Sequence, residues 1–475
     1  MALGRPRPGH HPNHPGEPGV GVDLEPPFIA HDEPTRWLFS LNRLGIRPGL
    51  VRIEGLLADL GHPERDLRTL VVAGTNGKGS TTRILARLLM DAGHKVVTYT
   101  SPHLLTVHER ITIDDQPIAP EDFSARVRAI RPLTEKHQAS WFETLTAIAV
   151  QVARDEGADY LCCEVGLGGR LDATNALPAV ATLLTTVGLD HETILGQTRE
   201  QIAAEKLGLL KAGTPLFCGV DADLRSQVFE AAVLAGSPVY YLDELTRRQE
   251  AEVPGRWDLL LREQVFPGLP DLGAESMQRN AALAILALTE LEAREGKRLL
   301  PADLPASLGN LFLPGRYQRL LRNPDFIFDT AHNTQALRGV LRHFRAEPAP
   351  GRRIVFFGSM HNKELDTLPM AELAGFDLWL GAPVSIPRSR DGEELRRLFR
   401  QWRLPPEICE VAEDMAAGLR WLARNLQPTD RVLVTGSCFM VAEVFHKLGF
   451  EELETTRVLQ QAPPRLAAWR DASID

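Results

Sequence analysis

The chain has 475 residues, 44% of them hydrophobic and 24% charged, with a formal net charge of −9 at pH 7. That length exceeds what one hydrophobic core supports and points to two or three domains of ordinary globular composition. The acidic balance supplies no global field for nucleic acid or an anionic membrane, so neither is expected as a partner, although a local nest of N–H groups and lysines can still receive an anionic substrate.

Residues 1–30 are rich in Pro, Gly and His and read as a disordered leader, with His10, His11 and His14 on a solvated tail. A helix is expected over Trp37 to Leu60. A strand at Leu70 to Ala73 then breaks into Gly74-Thr75-Asn76-Gly77-Lys78-Gly79-Ser80-Thr81-Thr82, and Ile84, Leu85, Leu88 and Leu89 recur at helical spacing behind it. Strands follow at Lys95 to Thr100, Tyr160 to Glu164, Ala179 to Thr186 and Leu216 to Val220. They alternate with helices at Phe123 to Arg131, Phe142 to Arg154 and Glu200 to Lys211, the pattern of a parallel sheet covered on both faces. A long helix, Met277 to Arg294, precedes a Pro-Gly break at Leu313 to Arg316. A second strand series (Phe326 to Phe328, Ile354 to Phe357, Leu378 to Leu380, Val432 to Val434) implies a smaller α/β domain, and the end from Glu451 reads as peripheral.

Cys162, Cys163, Cys218, Cys409 and Cys438 form neither a C-x-x-C pair nor a metal-ligand spacing, which fits reduced thiols and a cytoplasmic location. The most apolar windows, such as Ala179 to Val187, fall short of the roughly 18 to 20 residues that cross a bilayer. Met1 to Pro6 carries no apolar signal core.

Strand, glycine loop, helix is the order in which backbone N–H groups collect around a phosphate. Lys78 adds a point charge and Ser80 a hydroxyl for a magnesium ion, although Gly79 separates the two where the strict phosphate-loop motif has them adjacent. Other polar groups sit at strand ends, where open parallel sheets build their sites. Glu164 leaves a buried strand beside Gly166, Gly168 and Gly169 and suits magnesium, or else caps a turn. His191, in Leu189-Asp190-His191, is by itself a hydrogen-bonded structural residue before it is a ligand. Lys206, beside Glu205 on a helix, reads as a solvated charge. Asp329-Thr330-Ala331-His332-Asn333 is either a ligand contact or a helix cap from Asn333.

Taken together, these stretches carry a resemblance. Gly74 to Ser80, Ser101-Pro102-His103-Leu104 with Glu109-Arg110-Ile111, Phe142-Glu143, Glu164 to Asn175, Leu189-Asp190-His191 with Glu205-Lys206, Pro314-Gly315-Arg316 and Ala331-His332-Asn333 occur in an order that resembles folylpolyglutamate synthase/dihydrofolate synthase of the Mur ligase superfamily, from about residue 34 to 447. The resemblance implies an α/β chain with an N-terminal P-loop ATPase-like domain and mostly parallel sheet at 31–312, a linker at 313–322, and a smaller C-terminal Rossmann-like domain at 323–475. It implies an ATP-dependent amide ligase that uses ATP and Mg2+ to phosphorylate a carboxylate of dihydropteroate or a folate and then joins L-glutamate to it, acting as a monomer, with domain closure completing the site.

Residue by residue, the resemblance implies that Gly74, Thr75, Asn76, Gly77, Lys78, Gly79, Ser80 and Thr81 hold the ATP phosphates. Asn280 lies near the adenine, and Arg316, Asp329 and His332 reach the nucleotide from the linker and second domain. Ser80, Glu164 and His191 bind magnesium, as does Lys206 if carbamylated. Lys78, His191 and Lys206 are the catalytic set, and Ser101, His103, Phe142 and Asp172 the folate side. Two departures stand out: Gly358-Ser359-Met360-His361-Asn362-Lys363-Glu364 where the family often has Asp-Lys-Asp, which leaves the role of that loop open, and Thr330 where glycine is common, which would restrict the turn. A Mur-type ligase acting on a peptidoglycan precursor, or a nucleotide-gated binding protein, remain as alternatives.

Overall fold

The structure, a computed structural model, describes residues 32–45, 47–361, 363, 365 and 368–456; the expected leader lies outside them. Its first sheet comprises β1 (Thr69–Ala73), β2 (Val96–Tyr99), β3 (Ile111–Ile113), β4 (Gln116–Pro117), β5 (Tyr160–Glu164), β6 (Ala179–Leu184), β7 (Leu216–Cys218) and β8 (Val239–Tyr241), in the order β4-β3-β2-β5-β1-β6-β7-β8. From β2 to β8 every pairing is parallel, and β3 and β4 add an antiparallel edge. Every residue of β1 is buried, as a strand covered on both faces must be. Leu70 and Val72 face a core built by the helices Lys78–Asp91 and Glu275–Glu295, while Leu161 and Cys163 of β5 meet the helix Trp141–Asp155 on the other side.

In the chain, a three-stranded antiparallel sheet, β9 (Thr246–Glu250), β10 (Arg256–Leu261) and β11 (Gln264–Pro270), comes between β8 and the long helix. It was absent from the sequence expectation, yet β10 carries the signal: Trp257, Leu259 and Leu261 are buried and alternate with less buried residues, the period of a one-faced strand. The single helix expected over Trp37 to Leu60 is instead two, Glu33–Ser40 and Val51–Asp59. Gly45, at φ 65°, and the Pro48-Gly49 pair interrupt the helical backbone between them.

The second sheet orders β12 (Gln318–Arg322), β13 (Asp325–Phe328), β14 (Arg353–Phe357), β15 (Leu378–Gly381), β16 (Cys409–Val411) and β17 (Arg431–Thr435) as β12-β13-β17-β14-β15-β16. All its pairings are parallel except β12 with β13. The expected linker at 313–322 therefore overlaps β12. Residues 451–456 are less peripheral than their weak periodicity suggests, because Gln318 Nε2 donates to Thr456 O at 2.7 Å and Leu453 is buried. No helix among the described residues is long and apolar enough to cross a membrane.

Candidate active site

The carboxyl ends of β1, β2, β5, β6 and β7 open on one cleft of about 300 Å³, closed from the far side by the turn at Arg316 and the loop after β13. β1 sits between β5 and β6, so the chain departs to either side of it and leaves a crevice where its loop emerges. That loop is pinned at its backbone. Thr75 N donates to Thr186 O at 2.8 Å, Asn76 N to Thr186 Oγ1 at 3.0 Å, and the Thr185 hydroxyl to Asn76 O at 2.6 Å. Gly77, left-handed at φ 83°, turns the chain into the helix that begins at Lys78. The helix N-terminus and its dipole therefore point into the cleft.

A Cβ on Gly77 would lie 2.7 Å from Asn280 Oδ1, so glycine is demanded both by the backbone angle and by the neighbour. Gly77→Ala is expected to weaken ATP binding by about tenfold, from a strain of roughly 1–2 kcal/mol. Isothermal titration checks this, and an unchanged affinity would count against the loop as the phosphate cradle.

Lys78 Nζ rests on Thr75 O at 3.2 Å, and Ser80 is buried in the first helical turn. Glu164 faces them: its Oε2 accepts from Ser101 N at 2.7 Å and lies 3.0 Å from where a Cβ of Gly79 would be. Burial raises its pKa, against the pull of Lys78, the Ser101 N–H, Arg316 and Arg110. A buried carboxylate held this way gains from a cation beside Ser80.

Lys206 overturns the solvated-lysine reading. It is 5% exposed, on the buried face of the helix Arg199–Leu207 with Ile202 and Ala203, and its Nζ donates to Gly74 O at 3.0 Å. Burial first, then the Lys78 charge, lowers its pKa to about 7, with Asp190 and Asp172 opposing. His191, left-handed at φ 53° and 43% exposed at its side chain, lines the same cleft. Burial, opposed by Asp190 and reinforced by Lys363 and Lys78, lowers it to about 4, so its ring is neutral at physiological pH. Among the described residues no three His, Cys, Asp or Glu side chains cluster as a metal site. The expected set of one hydroxyl, one carboxylate, one imidazole and one lysine lies outside that pattern. The hydroxyl of Ser80 and the carboxylate of Glu164 are nonetheless the oxygen donors that suit a hard cation.

Asn280, Arg316, Asp329 and His332 all line the cleft. Asp329 accepts from Tyr317 N and Ala331 N, both at 2.8 Å, tying the turn to the loop. Thr330 does not strain that loop, since the left-handed positions are Gly315 at φ 62° and Tyr317 at φ 47°. A Cβ on Gly315 would meet Thr330 Cγ2 at 2.8 Å, so the demand for glycine falls on the turn before β12.

Four residues of the expected set are not among those lining this cleft. Thr81 is wholly buried in the helix and does not line the cleft. His103 is buried behind Ser101, its Nδ1 accepting from Arg110 Nε at 2.8 Å. Phe142 packs its ring against Gly166 and lies 5.5 Å from the Tyr99 ring. Asp172 accepts from Leu167 N at 2.9 Å and from the Thr174 hydroxyl at 2.7 Å, while burial raises its pKa against those hydrogen bonds. Phe142 and Asp172 thus border the glycine wall Gly166 to Gly168, and Ser101 lines the cleft itself. Sequence reasoning missed Thr185 and Thr186, two hydroxyls after a buried strand, and Asn76, Gln335 and Lys363 as contacts between the sheets.

Two family models match the chain: the Mur ligase middle domain over residues 72–242, and the Mur ligase, glutamate ligase domain over 315–438. A dihydrofolate synthase/folylpolyglutamate synthase of Bacillus subtilis is 30% identical over 442 residues, covering 89% of this chain and 100% of the relative. The chain belongs to the dihydrofolate synthase/folylpolyglutamate synthase family. It is an ATP-dependent, amide-forming ligase of the Mur type. Escherichia coli FolC in complex with DHPP and ADP superposes on the ligase with a TM-score of 0.78 at 29% identity, over 87% of this chain and 97% of that one. A bifunctional folylpolyglutamate synthase/dihydrofolate synthase with Mn, AMPPNP and L-glutamate bound gives a TM-score of 0.77 at 29% identity, over 88% and 98%.

Proposed function

We propose that the ligase adds L-glutamate to dihydropteroate, to the glutamate tail of reduced folates, or to both. The observation that carries this is the single cleft in which the phosphate loop, Glu164, His191 and Lys206 from one sheet meet Arg316 and His332 from the other. The relatives solved with DHPP and ADP, and with Mn, AMPPNP and L-glutamate, support the same substrates here. A peptidoglycan precursor is the weaker reading, because these relatives are folate enzymes along nearly their whole length.

A carboxylate is a poor electrophile, so an acceptor carboxylate oxygen first attacks the γ-phosphorus of ATP, the bond to ADP breaks, and an acyl phosphate forms. The glutamate nitrogen then attacks the acyl carbon and expels phosphate. In this reading Lys78 and the loop N–H groups hold the β- and γ-phosphates. Arg316 and His332 approach the nucleotide from the opposite wall, with Asp329 holding their loop, and Asn280 borders the base. Magnesium at Ser80, Glu164 and His191, and at Lys206 if carbamylated, would offset charge on the transferred phosphoryl group. We place the first domain at 31–312, a hinge at Leu313 to Tyr317, and the second domain from Gln318, where β12 begins, instead of from 323. A cytoplasmic monomer is part of the same proposal.

Incubating the protein with ATP, magnesium and glutamate plus either dihydropteroate or tetrahydrofolate tests the reading by product mass. The expected product is heavier by one glutamyl residue, with one ADP and one phosphate released per bond. ADP release with no amide product would replace ligation by a nucleotide-gated role.

A further inference from the structure

Beside the nucleotide cleft lies a second cavity of about 50 Å³, and Ser80, Ser101, Glu164, Arg316 and Thr330 border both. At roughly 10–15 Å³ for a water-sized group, it has room for a carboxylate and the carbon that bears it, and is far too small for a pterin or a nucleotide base. Arg83 borders this cavity and not the cleft. It stands on the helix Lys78–Asp91 one turn beyond Ser80, so the two side chains share a face. Its side chain is 17% exposed, and its ion pair with Asp115 spans 3.8 Å, beyond hydrogen-bond reach. Glu109 borders the cavity as well, but its carboxylate accepts from Leu104 N and Leu105 N at 2.8 Å and from Thr106 N at 2.7 Å, and so is spent on the loop after β2.

Thr330 borders the same space from the loop after β13. It is 3% exposed, and its hydroxyl has no hydrogen-bond partner among the described residues. The rest of the residue is fixed: its N–H donates to Gly315 O at 2.9 Å, its carbonyl accepts from His332 Nδ1 at 2.9 Å, and its methyl lies against Gly315. A buried donor left without a partner is costly, and one at the edge of a cavity is satisfied when a ligand brings an acceptor. The glycine common at this position in the family would bring no hydroxyl, so the group is a feature of this chain.

An acceptor carboxylate has to meet the γ-phosphoryl group beside Ser80 and Glu164, on the wall that the two spaces share. A glutamyl tail carries a second carboxylate roughly 5 Å from the first, whereas dihydropteroate has only one. We propose that this cavity is a subsite for the unreacted carboxylate of a glutamyl-tailed acceptor, held by Arg83 and the Thr330 hydroxyl, and that it favours folates with a tail over dihydropteroate. The inference rests on the ligase reading above. A guanidinium and a hydroxyl supply the donors that a carboxylate takes, and an amine would meet only a cation there.

The test is titration of two acceptors in the presence of ADP and magnesium: tetrahydrofolate, and its analogue with 4-aminobutyrate in place of the glutamyl tail, which keeps one carboxylate and lacks the other. The wild type is expected to bind tetrahydrofolate about 10- to 100-fold more tightly than the analogue, the scale of one charge-assisted pair. Arg83→Met should remove most of that preference by weakening tetrahydrofolate alone, and Arg83→Lys should restore part of it. Thr330→Val, which removes the hydroxyl and little volume, should cost tetrahydrofolate about 3- to 10-fold. Thermal melting establishes which variants are folded. In steady state the same variants should raise KM for tetrahydrofolate and leave KM for L-glutamate at the wild-type value. Equal weakening of both acceptors, a raised KM for glutamate, or wild-type tetrahydrofolate binding by either folded variant overturns the proposal. Tight binding of the tailed acceptor with no amide product from any acceptor would remove the ligase reading and leave the subsite standing.

Discussion

Lys78→Ala is expected to lose about 10²- to 10³-fold in kcat, the cost of removing one preorganised charge from a developing oxyanion. It should melt within about 2 °C of wild type, the scale of a substitution outside the core. The two expectations differ because of what Lys78 touches: its Nζ rests on Thr75 O in the same loop, while β1 and the helix Lys78–Asp91 are held by buried Leu70, Val72, Ile84 and Leu85. Charge is what the substitution removes, and packing is left in place. Single-turnover measurement of acyl-phosphate formation checks the first expectation and a thermal melt the second. Wild-type turnover in this variant would remove the phosphate-loop assignment.

Lys206 gives the second large effect, and its sign follows from burial. Its amine is lowered to about 7, so unlike a surface lysine it is substantially neutral at physiological pH, and only a neutral amine attacks CO2. At fixed dissolved CO2, carbamate formation is therefore expected to rise as pH increases through about 7 and to be lost below it, because the protonated amine has no lone pair. Labelled CO2 should give a carbamate carbon signal that Lys206→Ala lacks. The same substitution is expected to lower kcat by about 10²- to 10³-fold, with partial rescue by a small carboxylate such as acetate, which restores the missing oxygens. If the variant stays fully active, or the wild type shows no labelled carbamate at any pH, Lys206 is only the buried amine that anchors Gly74.

Burial also explains why this residue was misread by pattern alone. Glu205 and Lys206 are adjacent charges on a helix, and Glu205 does point outward to Arg170 at 2.7 Å. Lys206 instead shares a face with Ile202, four positions back, and that face packs under the phosphate loop. A helical wheel gives the face but not what lies against it. Phe142 and Asp172 show the same limit, since no pattern says that the Phe142 ring lies against Gly166 or that Asp172 accepts from the N–H groups of Leu167 and Thr174 and the Thr174 hydroxyl.

The sequence by itself determined the strand, loop and helix that form the phosphate cradle, the strand ends that carry Glu164, His191 and Asp329, and the presence of two strand-helix series. Those features are local: apolar runs and glycine positions act over a few residues, and backbone sterics read them directly. It also held, unused, the alternation in β10 and the glycines and proline that split the first helix. Only the tertiary structure decided which polar groups meet. Asn76 and Asn333 are 257 positions apart, and Asp190 and Lys363 are 173 apart. Such pairs are set by the order of strands in two sheets and by how those sheets face each other, which no periodicity encodes. Partner and burial together then decide whether a lysine is a solvated charge, a reactive amine or a contact between the two sheets.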